Sequence, residues 1–217
     1  MTEIKKYRYG AAIGLTMLIF LLGVFASNLA DDKRQSDLQD TLRDDSTDIQ
    51  SKQILMRYLE GEESCELRQE GLNQIVEGYN NRLERVQSYE EKSFFQETEF
   101  RSLRRSYVLS GIEYWMFAEE TDERCDSYNT NTILFFTEEQ CELCDKQGET
   151  LSDIKRLYGD EVLVFSVYTD LDDSMINLLR EQYDISKPPA LVINQNKTLE
   201  GVHTRENITQ HLEMSED

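Results

Sequence analysis

Only two prolines occur in the 217 residues, Pro188 and Pro189, and they are adjacent, directly ahead of the run "ALVIN". Proline locks φ, removes a backbone donor and breaks helices from within. Everything before residue 188 is therefore free to form long uninterrupted helix. One spot at the entrance to a β-prone segment has its backbone shape enforced. An X–Pro bond is also the only peptide bond that takes the cis form at small cost.

The stretch that uses this freedom most is 31–128, proline-free and glycine-poor. "GLNQIVEGYNNRLERVQSY" sets Leu72, Ile75, Val76, Tyr79, Leu83, Val86 and Tyr89 at three- and four-residue steps, one apolar stripe on a helix. Phe100, Leu103, Tyr107, Ser110, Gly111, Tyr114 and Phe117 continue the pattern in a third helix. A more polar helix precedes both and is ended by Gly61. The pattern predicts a helical hairpin or coiled-coil region, packed through a narrow seam. Cys65 lies at the start of the second helix and Cys125 just past the third, symmetric about a turn near "SYEEKSFF". Antiparallel helices would bring both sulfurs to one end. Two readings stay open, a structural Cys65–Cys125 disulfide or two buried free thiols.

Ahead of this region, no residue from Tyr9 to Ala30 is charged, and those 22 residues are long enough as a helix to span a bilayer's hydrocarbon core. Lys5, Lys6 and Arg8 precede it, the arrangement of a signal anchor. Small residues near Ala26 and Ala30 leave cleavage open as well. The expectation is a single-pass membrane protein with a cytoplasmic tail at 1–8, an anchor at 9–30 and the rest extracytoplasmic. Gly10 and Gly14 form a GxxxG, so a homodimer through helices is one open arrangement, although such spacing also arises by chance. The formal charge is −20, from 43 acidic against 23 basic side chains, which excludes nucleic acid as a partner because nothing neutralises a phosphate backbone.

Past residue 130 the pattern changes to short alternating elements. "TILFF" (132–136) reads as a buried strand, followed by a polar loop and by "CELCDKQGETLSDIKRLYG", a helix ended by Gly159. Strand 161–168, helix 172–184, strand 190–194, a turn at "NQNK", the strand "TLEGVH" and a helix capped by Thr204 follow. The order is β-α-β-α-β-β-α. A Cys-x-x-Cys at Cys141 and Cys144 sits between the first strand and first helix. Half a zinc site is the competing reading of that pair, but no second pair at metal-ligand spacing exists and His203 and His211 are the only histidines. Neither metal nor cofactor is expected.

This order, with the Cys-x-x-Cys at the strand-to-helix turn and a proline directly before "ALVI", resembles the thioredoxin-like superfamily over residues about 131–213. The resemblance implies an α/β domain at 131–217 with a mixed four-stranded sheet. It also implies that Pro189 is the cis residue, facing the cysteines and holding a backbone edge open for a substrate chain while Pro188 stiffens its approach. By the same resemblance, Cys141 attacks a substrate disulfide and Cys144 resolves the mixed disulfide. Three departures stand out. Glu142 and Leu143 replace the Gly-Pro of thioredoxins, no tryptophan precedes Cys141, and Phe135 occupies the position of a buried acid. Glu138, Glu139 and Glu142 crowd the thiol with negative charge, which predicts a comparatively reducing couple, nearer about −270 than about −120 mV.

The functional expectation is a membrane-anchored thiol–disulfide oxidoreductase acting on protein thiols and disulfides. The alternative is a tethered interaction protein whose thioredoxin-like domain binds and whose Cys141–Cys144 disulfide is static. An internal relay, with Cys65–Cys125 exchanging electrons with Cys141, would join the two.

Overall fold

The structure, a computed structural model, describes residues 46–90, 97–125 and 130–213, together with Met17 and Phe20. It divides after Ser51 into two compact units. In the first, Met17, Phe20 and residues 46–51 are helical. The tail at 1–8, the anchor at 9–30 and its Gly10/Gly14 pair lie outside the described residues, Met17 and Phe20 apart. Among the described residues no helix is long and apolar enough to cross a membrane.

The second unit opens with helical residues 52–60 (α1), stopped at Gly61, and continues into α2 (Cys65–Glu90) and α3 (Glu97–Arg124). The stripes meet as a packed seam. Leu72, Ile75, Val76, Tyr79 and Val86 of α2 are buried, as are Leu103, Tyr107, Tyr114 and Phe117 of α3. Tyr79 is the centre of this packing. Its ring stacks on Tyr107 with centroids 4.6 Å apart and meets Tyr114 edge-on at 6.0 Å. Gly111 makes this possible, because a Cβ there would lie 2.8 Å from Cε2 of Tyr79. A two-stranded coiled coil does not describe the pair. Leu103, Arg104, Tyr107, Val108, Ile112, Tyr114, Trp115 and Ala118 are all buried, which covers far more of α3 than an a/d seam. The reason is that α3 packs on α2 with one side and on the sheet with another.

That sheet has four strands, β1 (Asn131–Thr137), β2 (Val162–Tyr168), β3 (Ala190–Ile193) and β4 (Lys197–Glu200), in the order β2-β1-β3-β4. β1 pairs parallel with β2 and antiparallel with β3, and β3 pairs antiparallel with β4, so the sheet is mixed as expected. The crossover from β1 to β2 is α4 (Glu142–Tyr158) with a short 3-10 turn, Gly159–Glu161; α5 (Ser174–Gln182) joins β2 to β3, and α6 (Arg205–Thr209) ends the unit. One face of the sheet, Ile133, Phe135, Leu191 and Ile193, is sealed by Leu151 and Ile154 of α4 and Ile208 of α6. Phe165 carries the opposite face toward α2, 5.4 Å from the Tyr79 ring. With both faces covered, every residue of β1 is buried, which is why it reads as an unbroken apolar run.

β2 is a sheet edge, and edges need protection. Here the hairpin supplies it: the Ser166 N–H donates to the Tyr79 hydroxyl at 3.3 Å. Burial pushes that hydroxyl's pKa well up, so it serves as a neutral partner. Boundaries differ from expectation by one to four residues. Most of the differences have a local cause: Glu161 belongs to the 3-10 turn, Asp173 is the N-cap of α5, and Asn194 and Gln195 turn with φ of 45° and 56°.

Candidate active site

Cys141 occupies the N-cap of α4, in extended conformation with φ −109° and ψ 96°. Its sulfur accepts a hydrogen bond from the Cys144 N–H at 3.1 Å, one of the donors a helix start leaves unpaired. Directly before it, Gln140 takes a left-handed φ of 58°, folding the chain sharply between Glu139 and Cys141. Cys141 and Cys144 are bonded to each other, their Cα atoms 5.1 Å apart. Cys141 is half-buried, Cys144 is 2% exposed, and Leu143 between them stands 54% exposed.

The prolines reach this turn through strand register. Phe136 of β1 pairs with Ala190 of β3, so Pro189 stands one step on, beside the end of β1 from which the cysteine loop departs. The Pro188–Pro189 bond is cis. The Pro189 carbonyl accepts from Gly201 N–H at 2.8 Å, and both the N–H and the hydroxyl of Ser186 bond the Glu200 carboxylate, at 2.7 and 2.8 Å. Two strands and their side chains thus fix the proline loop.

Gln147 ties the halves together. It is fully buried on α4, on the same face as Cys144, and its carbonyl accepts from His203 N–H at 2.7 Å, two residues past Gly201. Sequence reading passed over it. The signal was a polar residue in step with Cys144, Leu151 and Ile154 on an otherwise apolar face.

A second support had no local signal at all. Arg104 of α3 is only 3% exposed, and its guanidinium bonds Glu139 at 3.0 Å and Asp170 at 2.9 Å. It also lies over the Tyr168 ring, 4.9 Å from the centroid. Its neighbour Arg105 reaches Asp173, the N-cap of α5, at 2.6 Å. Two consecutive arginines therefore bind the loops after β1 and after β2 to the hairpin. This changes the electrostatic picture expected around the thiol. Glu139 is matched by Arg104, which also serves Asp170, and Glu142 meets Lys146 at 2.8 Å in an exposed pair, so two of the three carboxylates have a cation beside them.

Cys65 and Cys125 are bonded to each other across 5.7 Å between Cα atoms, far from this site. Arg104 meets the loop that follows β1, whereas Glu119, later in α3, bonds Thr132 at the start of β1 and Gln195 at 2.7 Å. α3 thus runs antiparallel to β1. The twenty residues from Arg104 to Arg124 rise roughly 30 Å along it. The two disulfides sit at opposite ends, and direct exchange between them is ruled out in this arrangement.

A groove of about 770 Å³ opens beside the buried sulfur, between Val76, Tyr79 and Leu83 of α2 and Gly148 and Ser152 of α4, with Phe135 and Cys144 in its wall. Phe135 and Cys144 share one apolar cluster. Among the described residues no group of histidine, cysteine or carboxylate side chains is arranged to hold a metal ion.

No family model matches the sequence, and no curated protein does. Among solved structures the chain is similar to a thioredoxin-2 described as a component of the malaria parasite protein secretion machinery, 17% identical over 38% of this chain and 80% of that one, with a TM-score of 0.33. It is also similar to a malarial protein at 20% identity, over 39% and 99% of the two chains, and to chloroplastic thioredoxin z at 21% identity, over 42% and 83%, each with a TM-score of 0.33.

Proposed function

We propose that this chain is a thiol–disulfide oxidoreductase acting on protein thiols and disulfides through Cys141 and Cys144. One observation carries the reading: a bonded cysteine pair at a helix N-terminus, with the more accessible sulfur at the cap and the proline loop in register beside it. In the reduced form, the Cys141 thiolate attacks one sulfur of a substrate disulfide. A mixed disulfide forms and the first substrate thiolate leaves. Cys144 gives up its proton and attacks the Cys141 sulfur, which releases the second substrate thiolate and regenerates the Cys141–Cys144 bond. The substrate gains two electrons and the enzyme loses two; a dithiol reductant restores it. In the reverse direction the same bond oxidises a substrate dithiol. Helix-end N–H groups favour the Cys141 thiolate, and the substrate chain lies along residues 186–189.

The full chain should reduce insulin with a thiol regenerant, and Cys141→Ser should abolish turnover. Cys144→Ser should accumulate a mixed disulfide with substrate on Cys141. A wild-type chain no faster than Cys141→Ser would leave the second reading, a binding module with a static disulfide. That reading draws support from Phe135, which puts an aromatic ring into the apolar cluster that holds Cys144, where the resemblance calls for an acid.

The anchored, extracytoplasmic setting is part of the same proposal. It is supported by the uncharged stretch 9–30 and by a Cys65–Cys125 disulfide distant from the redox turn, which oxidising compartments sustain. Protease protection of residues 52–217 in intact membrane vesicles of one orientation tests it.

A further inference from the structure

We propose that Arg104 is a positioning residue for the Cys141–Cys144 couple: a buried cation in the hairpin that pins Glu139 and sets the charge felt by the reactive sulfur. The inference rests on the oxidoreductase reading and deepens it, giving the helical hairpin a part in the chemistry.

The geometry is specific. Arg104 is buried, its two terminal nitrogens are divided between Glu139 and Asp170, and the ring of Tyr168 lies under its guanidinium. Arginine's planar fork suits such divided pairing, and a guanidinium keeps its charge when desolvated. Glu139 is two residues from Cys141, and the left-handed turn at Gln140 folds the intervening chain back. Arg104 is shielded from solvent while Glu139 is 45% exposed, so the charge of the pair reaches the half-buried Cys141 through a partly screened path. Other charged groups also meet at this end. They are Glu138, Glu142, Asp145 and Lys146 on the loop and α4, Asp170 after β2, Lys187 and Glu200 about the prolines, and His203 before α6. Glu142 and Lys146 pair with each other, and Glu200 is engaged by Ser186. Among these groups, Arg104 is the buried cation that holds the cysteine loop itself.

Charge and scaffolding make opposite predictions. If Arg104 acts only as a strut, losing either partner loosens the same loop, and both losses move Cys141 the same way. If its charge matters, the two losses move Cys141 in opposite directions. The test follows iodoacetamide alkylation of Cys141 against pH in the reduced full chain, resolved by peptide mass spectrometry so that Cys65 and Cys125 do not contribute. Arg104→Gln should raise the alkylation midpoint by about half a pH unit, roughly threefold in thiolate at fixed pH. Glu139→Gln should lower it, and Arg104→Gln with Glu139→Gln should return it toward the wild-type value. Arg104→Lys should keep most of the effect. Shifts of the same sign, or no shift, overturn the proposal. Should Arg104→Gln not fold, Arg104→Lys decides, because it keeps the charge and loses the divided fork: a midpoint near the wild-type value supports the proposal and a shifted one overturns it. Insulin turnover by the wild-type chain is measured separately, so failure of the enzymatic reading and failure of this one remain distinct.

Discussion

Replacing Gly111 by alanine removes no contact and adds one methyl group, yet it should destabilise the protein. In the interior of a helix, Gly→Ala ordinarily gains about 1 kcal/mol. At Gly111 the new Cβ would lie 2.8 Å from Tyr79 Cε2 and 2.9 Å from its hydroxyl oxygen. The ring has nowhere to go, being stacked on Tyr107, against Phe165 and bonded to Ser166 N–H. Overpacking of this kind costs roughly 1–3 kcal/mol. The net expectation is a loss of about 1 kcal/mol, or more if the Ser166 hydrogen bond breaks. Gly148, inside α4, supplies the control, because a Cβ there meets only Phe135 Cε1 at 3.8 Å. Gly148→Ala should therefore stabilise by about 0.5–1 kcal/mol. Urea denaturation of the two full-length variants under oxidising conditions reads both signs. Amide exchange at Ser166 should quicken in Gly111→Ala alone. A Gly111→Ala chain at least as stable as wild type would refute the placement of Tyr79 between hairpin and sheet edge.

Replacing both Cys65 and Cys125 by serine opens a loop with a sequence separation of 60; chain entropy puts the loss at about 4 kcal/mol, read as a lower urea midpoint, and an unchanged midpoint would count against the bond. Asp173 gives a pH signature. Burial pushes its carboxyl up, but the Met175 N–H and the Arg105 guanidinium outweigh that and hold it below the usual carboxylate range. Its stabilisation is therefore present above the unfolded value of about 3.9 and lost as pH falls below it. The melting-temperature gap between wild type and Asp173→Asn, which keeps the cap, should be widest near pH 7 and close toward pH 3. A gap that does not change with pH would contradict the ion pair.

The elements of the C-terminal sheet were legible because each is announced locally. Glycine stops α4, threonine caps α6, and β1 is apolar at nearly every position because both its faces are covered. The cysteines and prolines could be found for the same reason, since each pair is contiguous or nearly so. Arg68, Arg82 and Arg104 were not legible. A charged residue on a helix reads as solvated until its partners are known, and those partners are distant: Arg68 bonds the Leu59 carbonyl and Thr121, Arg82 bonds Ser110, and Arg104 reaches 35 and 66 residues ahead. The packing of the hairpin on the sheet was hidden too. Its second apolar face merged with the first, making one wide stripe look like a seam for a single partner.

Under the proposed oxidoreductase function, the placement of the two sulfur pairs at opposite ends of α3 keeps their electron traffic apart. A redox partner shaped for the cap of α4 cannot, from the same berth, touch the bond that closes the hairpin. In that proposed role Cys141 and the buried Cys144 cycle between oxidised and reduced states while the distant crosslink stays oxidised throughout, so that the frame supporting the reaction is insulated from it.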